Sequence, residues 1–409
     1  MKKIKVVVLS TDSKEFSDDR IFDLDWCDRF PGSAWLVYLQ KLLVDLNIEL
    51  VSIDTLKKKV EHEKFSDFSS IGIIGEPLCD NSTWLLKEGA IPLITINAES
   101  PIYAYNYYDN FKSIVKIYYK NITFSGLFNS PDMKDIETMY FPSFHKKYLS
   151  VKMQPWNNRK LMVIVAGNKS GNFEILNKLD KLLKRLLNKN IKSINISPLT
   201  QTDLAQNTAK NRFYYIIHQV KYELGKFFSK SFKTALKNEL HTKRWEAIKY
   251  FGDLETLDLY GAGWDEYERF PSISREMMKK VIPVVYKGQC ENKINTIANY
   301  KFVFCAENTI YPGYVTEKII DCFMAGAIPI YIGASDIENF IPKNLFIDLR
   351  EYRSMKDLEE RLINISEEEA LLMIVSSKEF LKSKNGDKFS YEYMAERIYN
   401  IAKIYNDEI

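Results

Sequence analysis

Short apolar runs of strand length recur along the chain, separated by stretches whose apolar positions fall three and four apart. In the first half the runs cover residues 4–10, 48–54, 71–76 and 91–99. Between the first two, residues 34–46 place Leu36, Leu39, Leu42, Leu43 and Leu46 on one helical face. In the second half strand-like runs cover 161–168, 256–261, 302–307, 328–333 and 345–349. Helical spacing fills 173–187, 240–251, 291–299, 316–325 and 355–363, and two more helices are expected at 367–382 and 390–405. Strands alternating with helices predict parallel sheets covered by helices, an α/β fold. A stretch rich in Pro, Ser, Lys and Trp, 140–158, separates the two sets of strands. The pattern therefore predicts a first α/β domain over 1–150, a second over 151–370, and terminal helices over 371–409, with the two domains facing each other across a cleft.

Composition narrows the class. The 409 residues are 46% apolar and 27% charged, the balance of a globular protein. The net charge of +3 is too small to argue for nucleic acid as a partner. The basic start, Met1-Lys2-Lys3, leads into an apolar run too short for a leader and lacking a small-residue cleavage site, so it is expected to open the first strand. No window approaches the roughly 18 apolar residues of a membrane helix. The five cysteines, 27, 79, 290, 305 and 322, show no CxxC spacing and are expected to be reduced thiols of a cytoplasmic protein.

Familiar phosphate and metal motifs are missing. Gly167-Asn168-Lys169-Ser170-Gly171 follows a strand but in the wrong order for a Walker A loop, and Gly261-Ala262-Gly263 lacks the third glycine of a dinucleotide fingerprint. Both pairs read as sharp turns that also permit close backbone approach. His62, His145, His218 and His241 make no metal spacing. Asp23-Leu24-Asp25 matches DxD, too short a signature to be read as a metal site.

The segment YPGYVTEKII, residues 311–320, is more informative. Thr316 suits an N-cap, which puts Glu317 and Lys318 in the first helical turn. A lysine there opposes the helix dipole, unless an anion sits at the helix start. Glu317 could then accept hydrogen bonds from a ribose diol. A solvated Lys318 and a dipole-favoured Glu317 would explain the same local pattern. The flanks favour a ligand. A buried strand ending in Glu307-Asn308 precedes the loop and a second apolar strand follows it, so Glu307, Asn308 and the loop lie on the rim where parallel sheets hold ligands.

The 35-residue stretch YKFVFCAENTIYPGYVTEKIIDCFMAGAIPIYIGA, 300–334, resembles the donor-binding signature of the family 10 α-1,3/4-fucosyltransferases, and is especially similar to the Helicobacter enzymes. The likeness extends over 161–348 apart from one insertion, and takes in Arg244 within KRWEAIKYF and the segment LDLYGAGW. In the divergent first half, INAESPIY, 96–103, matches the family's Glu-Ser-Pro, whose glutamate acts as general base. The resemblance implies two Rossmann-like domains in the GT-B arrangement and GDP-fucose as donor. It implies that Glu99 is the catalytic base, Glu317 holds the ribose, Lys318 and Arg244 pair with the diphosphate, Tyr314 lines the pocket, and Asn308 and Glu307 shape its rim. The reaction would be inverting, toward an oligosaccharide acceptor of the N-acetyllactosamine or lipopolysaccharide O-antigen class. No protein-bound metal would be obligatory, with Mn2+ or Mg2+ at most stimulatory. Another GDP-sugar donor, or a silent glycan- or nucleotide-binding protein on the same fold, are the alternatives.

Residues 198–238 exceed what the family core requires. Within 211–238, Arg212, Lys221, Lys226, Lys230, Lys233 and Lys237 stand against the single acidic residue Glu223, interleaved with aromatics at helical spacing. An amphipathic helix pair packed on the second domain is the ordinary reading. A peripheral contact with the inner face of a membrane is the sharper one.

Overall fold

The computed structural model describes residues 2–27, 32–63, 67–127, 135–148, 153–168, 226, 229–267, 270 and 272–409. The expected helix at 173–187 and most of the 198–238 insertion lie outside these residues.

The first domain is built on β1 (Val6–Ser10), β2 (Glu49–Ser52), β3 (Ile71–Gly75), β4 (Ile91–Ile96), β5 (Lys120–Thr123) and β6 (Ile136–Thr138), in the order β2-β1-β3-β4-β5-β6. Every pairing is parallel. The second domain is built on β7 (Lys160–Val165), β8 (Leu257–Tyr260), β9 (Tyr300–Ala306), β10 (Ile328–Ile332) and β11 (Ile347–Asp348), in the order β11-β10-β9-β7-β8, again all parallel. These are the two parallel α/β sheets expected from the pattern.

Among the described residues the helices longer than one turn are α1 (Trp35–Leu43), α2 (Ile53–Glu63), α3 (Asp80–Lys87), α4 (Tyr105–Ile114), α5 (Lys230–Lys237), α6 (His241–Asp253), α7 (Ser272–Val285), α8 (Lys293–Ile297), α9 (Glu317–Ala325), α10 (Met355–Asn364), α11 (Glu367–Lys382) and α12 (Tyr391–Asp407). Most strands differ from the apolar runs by a residue or more at one end, and three differences bear on the fold. The run 48–54 stops at Ser52, because α2 starts at once with Asp54 in its first turn, where the dipole favours an acid. The run 91–99 stops at Ile96, and the run 345–349 shrinks to two paired residues. Two strands escape the pattern altogether: β5 and β6 are four and three residues long, too short to show a period. The Gly261 turn follows β8 without leading directly into a helix, since α7 begins only at Ser272.

The terminal helices serve both domains. α11 buries Ala370 and Ile374 in the core of the second domain. α12 crosses back and lays Met394, Ile398, Ile401 and Tyr405 against Leu36, Leu39 and Leu43 in the core of the first. Polar bonds fix its register. Arg397 donates to Glu137 Oε2 at 2.7 and 3.0 Å and to the Thr138 carbonyl at 2.9 Å. The Asn406 amide accepts from the Ile4 N–H at 2.8 Å and donates to the Ile4 carbonyl at 3.1 Å.

The carboxyl ends of the two sheets face each other. The Gly126 N–H, just past β5, donates to the Pro312 carbonyl at 3.1 Å. Asp336, past β10, accepts from the Gly313 N–H at 2.6 Å and from the Ser125 hydroxyl at 3.0 Å. Phe124 meets Tyr314 edge-on at 5.0 Å, and Tyr108 meets Tyr311 at 5.3 Å. Of the basic insertion, α5 is described, and it corrects one expectation. Its apolar face, Phe232 and Ala235, packs on Ile102 and Tyr105 of the first domain rather than on the second, and the Ser231 N–H donates to Asp109. The helix nevertheless stays tied to the second domain, because Thr309 donates to the Ala235 and Asn238 carbonyls.

Candidate active site

The strand order of the second sheet reverses between β7 and β9, which makes the crevice beyond their carboxyl ends the natural ligand site. A cavity lies there, lined by Val165 and Ala166 at the end of β7, Cys305 and Ala306 at the end of β9, and three cations, Arg244, Lys293 and Lys318. The glycine turns flank it. Gly261 has φ +133°, and a Cβ there would stand 2.1 Å from the Ala166 carbonyl oxygen, so only glycine lets the two loops touch.

Chain order explains the chemistry of α9. β9 runs to Ala306 and delivers Glu307 to a fully buried position. Its carboxylate accepts from the Thr316 N–H at 2.9 Å, from the Thr316 hydroxyl, and from Lys318 Nζ at 2.8 Å. Thr316 stands at the N-cap with extended backbone but makes no capping bond of its own, because its hydroxyl turns to Glu307. The anion that reconciles Lys318 with the helix dipole is therefore the chain's own buried carboxylate. This also corrects the expectation that Glu307 shapes the rim: it lies beneath the rim and anchors Lys318 from below. Lys318 Nζ donates to Glu307 and to Thr316 Oγ1, two of an ammonium's three donors. Its side chain is 19% exposed and borders the cavity.

Glu317 stands beside it, 3.7 Å from Lys318 Nζ and 3.5 Å from Lys293 Nζ. Burial pushes its carboxyl up, but Lys318 and Lys293 outweigh burial and hold it at about 2. Glu317 is thus an ionised acceptor at neutral pH, fit to receive hydroxyl donors. Lys293 also pairs with Asp321 at 2.6 Å. Burial is the chief cause that lifts the Asp321 carboxyl, to about 6, with Glu317 adding to it and Lys293 opposing it. Burial alone would depress the Lys318 ammonium, yet Glu307 and Glu317 overcome it and raise it above its ordinary value.

Arg244, on α6, is 3% exposed. Its Nη2 donates to the carbonyls of Ala306 and Glu307, at 2.7 and 2.9 Å, and to Asn308 Oδ1 at 3.2 Å. The Asn308 amide in turn donates to the Tyr314 hydroxyl at 3.1 Å. Tyr314 is 1% exposed and lies between the domains. Burial pushes its phenol well above the usual range, and Glu99 from the first domain with Glu307 and Glu317 from the second add to it. The Tyr314 ring thus stands within electrostatic reach of both sides.

Glu99 sits on the loop after β4, three residues past the last strand residue, and is solvent-exposed. Its backbone is held: the N–H donates to Asn97 Oδ1 at 3.3 Å and the carbonyl accepts from the Tyr108 hydroxyl at 2.9 Å. Asp23 and Asp25 lie elsewhere in the first domain, where Asp23 Oδ1 accepts the Asp25 N–H at the start of a single helical turn, Leu24–Cys27. Among the described residues no group of three or more His, Cys, Asp or Glu side chains converges as a metal site. The four cysteines 27, 79, 305 and 322 are buried free thiols, and Cys290 is half-buried.

Sequence reasoning missed Lys293, Asp321, Tyr103 and His241. Lys293 belongs to no motif, and only the packing of α8 on α9 brings it to the cavity. Asp321 lies one helical turn after Glu317, a spacing that placed both acids on one face. Tyr103 stands inside the INAESPIY match, and His241 three residues before Arg244 on the same helix.

Residues 234–377 match the family model described as "Glycosyltransferase family 10 (fucosyltransferase) C-term". The human 4-galactosyl-N-acetylglucosaminide 3-alpha-L-fucosyltransferase 9 is 35% identical over 85 residues, 20% of this chain and 24% of that protein. An Arabidopsis thaliana alpha-(1,4)-fucosyltransferase is 42% identical over 62 residues, 15% of this chain and 16% of that protein. The chain thus spans about a quarter or less of the length of the curated relatives it matches. A solved alpha1,3-fucosyltransferase is 14% identical with a TM-score of 0.48, the superposition covering 98% of this chain and 90% of that one. Residues 234–377, which match the glycosyltransferase family 10 model, contain the cations and carboxylates of the β7–β9 crevice.

Proposed function

We propose that the protein is an inverting fucosyltransferase, moving L-fucose from GDP-fucose to a hydroxyl of a glycan acceptor. The observation that carries this reading is the convergence of Glu317, Lys318, Lys293 and Arg244 at the β7–β9 crevice, inside the family-matched segment. In this reading Glu317 accepts from the ribose hydroxyls. Lys318, with its remaining donor, and Lys293 and Arg244 face the diphosphate, where charge-assisted bonds are strong. Glu99 takes the proton from the acceptor hydroxyl as that oxygen bonds to the anomeric carbon. The bond from that carbon to the diphosphate breaks, GDP leaves, and a β-linked donor gives an α-fucoside. Negative charge grows on the departing diphosphate, and cations already held by Glu307, Asp321 and Thr316 stabilise it without reorganising. These cations supply the charge a metal provides elsewhere, so Mn2+ or Mg2+ is at most a stimulant in this reading.

The acceptor class we favour is an N-acetyllactosamine-type or lipopolysaccharide O-antigen glycan, with α-1,3 linkage to GlcNAc or Glc, on cytoplasmic precursors. A GDP-release assay tests donor and acceptor together, with GDP-fucose against a panel of disaccharides and GDP-mannose as control. Turnover of GDP-fucose with a disaccharide is expected. Turnover of GDP-mannose instead would change the donor, and GDP binding without any turnover would leave a silent nucleotide-binding protein.

A further inference from the structure

A hydrogen-bonded chain joins the two domains at the site. The Tyr103 hydroxyl lies 3.1 Å from His241 Nε2, and His241 Nδ1 lies 3.2 Å from Arg244 Nη1. A guanidinium has only donors, so Arg244 donates and Nδ1 must be the bare acceptor. His241 is then neutral with its proton on Nε2, and that N–H donates to the Tyr103 oxygen. The imidazole is 3% exposed and its backbone N–H is pinned to Glu239 at 2.7 Å, so the ring is held on both sides. Tyr103 meets it edge-on, ring centroids 6.4 Å apart.

Each end of this chain bears on one half of the reaction. Tyr103 and Ala104 both donate their N–H groups to the Ser100 carbonyl, at 3.0 and 2.9 Å, which makes 100–104 a tight turn directly after Glu99. A shift of Tyr103 therefore carries Glu99 with it. At the other end, Arg244 borders the cavity with Lys318 and Lys293. Among the described residues, the hydrogen bond to His241 is made by Nη1 and those to Ala306, Glu307 and Asn308 by Nη2.

We propose that Tyr103 and His241 are positioning residues forming one strut across the domain gap. The strut sets the Glu99 loop and the Arg244 guanidinium against each other, so nucleotide binding in the second domain is linked to the place of the base in the first. Linkage of this kind is reciprocal: what displaces the loop weakens the nucleotide, and the nucleotide holds the loop. The inference rests on the reading of the crevice as a GDP-sugar site and adds residues that the family signature did not supply.

The test measures GDP affinity by calorimetry and kcat and KM for GDP-fucose by GDP release, on the full chain. Tyr103→Phe removes one hydroxyl from the first domain and keeps the ring. It is expected to weaken GDP about 3- to 10-fold, the worth of a single hydrogen bond, and to lower kcat as well. His241→Asn offers Arg244 an oxygen near the place of Nδ1 but gives up Tyr103, and should match Tyr103→Phe. The double variant should be no worse than either single one, since a strut cut once is already cut. His241→Gln, which keeps a donor near Nε2, serves as second variant should the Asn protein unfold, and is likewise expected to add nothing to Tyr103→Phe. Effects that multiply, or a Tyr103→Phe protein with wild-type GDP affinity and kcat, overturn the strut while leaving the GDP-sugar site standing. A wild-type chain that binds no GDP overturns the site and the strut with it.

Discussion

Lys318 faces a buried carboxylate on one side and the cavity on the other, and the two roles separate in experiment. Lys318→Ala should weaken GDP by about 1.5–3 kcal/mol, a charged hydrogen bond's worth, read by titration calorimetry. It also leaves Glu307 buried without its cation, at a cost of about 3–5 kcal/mol, so the thermal midpoint should fall as well. Unchanged GDP affinity in a folded variant would remove Lys318 from the phosphate side. Glu99 differs because it is exposed on the loop after β4. Glu99→Gln should keep the fold and the GDP affinity while turnover drops about 10²–10⁴-fold, the usual worth of a general base. A variant that turns over like wild type would show that Glu99 is not the base. The local residue pattern suggested a ligand for Lys318, but could not show that Glu307, eleven residues earlier, already supplies an anion.

At the scale of the element, the 311–316 loop and the first turn of α9 join domain contact to site chemistry. Gly313 has φ +73°, and a Cβ there would lie 2.4 Å from Ser125 Oγ and 2.6 Å from Ser125 N. Gly313→Ala should therefore be destabilising by about 1–3 kcal/mol through backbone strain, and more if the Ser125 contact gives way. A thermal midpoint equal to wild type would argue against this close approach. The α9 start also predicts an acid limit. Glu317 at about 2 lies below its ordinary 4.5, so over that interval the folded chain binds fewer protons there than the unfolded one. Its contribution is complete above pH 4.5 and is lost as pH falls toward 2. The stability gap between wild type and Glu317→Gln should thus close on acidification across this window in pH-resolved thermal unfolding. A gap that stays constant would deny Glu317 its depressed pKa. The helix itself was legible from its spacing and its N-cap threonine, but the reason for YPG was not. That reason is a contact with Ser125 and Gly126, nearly two hundred residues away.

For the whole molecule, α12 completes the core of the first domain although it follows the second in the chain. Removing residues 391–409 would strip Met394, Ile398, Ile401 and Tyr405 from a core they complete, each worth about 1.5–3 kcal/mol of burial where aliphatic or methionine. The shortened chain should lose its cooperative thermal transition. One that unfolds at the wild-type temperature would show α12 to be dispensable. The sequence pattern predicted this helix yet grouped it with α11 as a terminal unit, because amphipathicity states that a face is buried and not what buries it.

Taken by itself, the sequence determined the alternation of strand and helix, the two-sheet architecture, and the strand–loop–helix segment that carries Glu317 and Lys318. These are local properties: period, end signals and a long contiguous motif suffice to carry them. Tertiary structure alone decided that Glu307 is buried under Lys318, that Lys293 and Asp321 join the site, that α5 and α12 pack on the first domain, and that Tyr103 reaches Arg244 through His241. Each of these depends on contacts between segments remote in the chain, whose register is set by packing and burial rather than by any spacing within one segment.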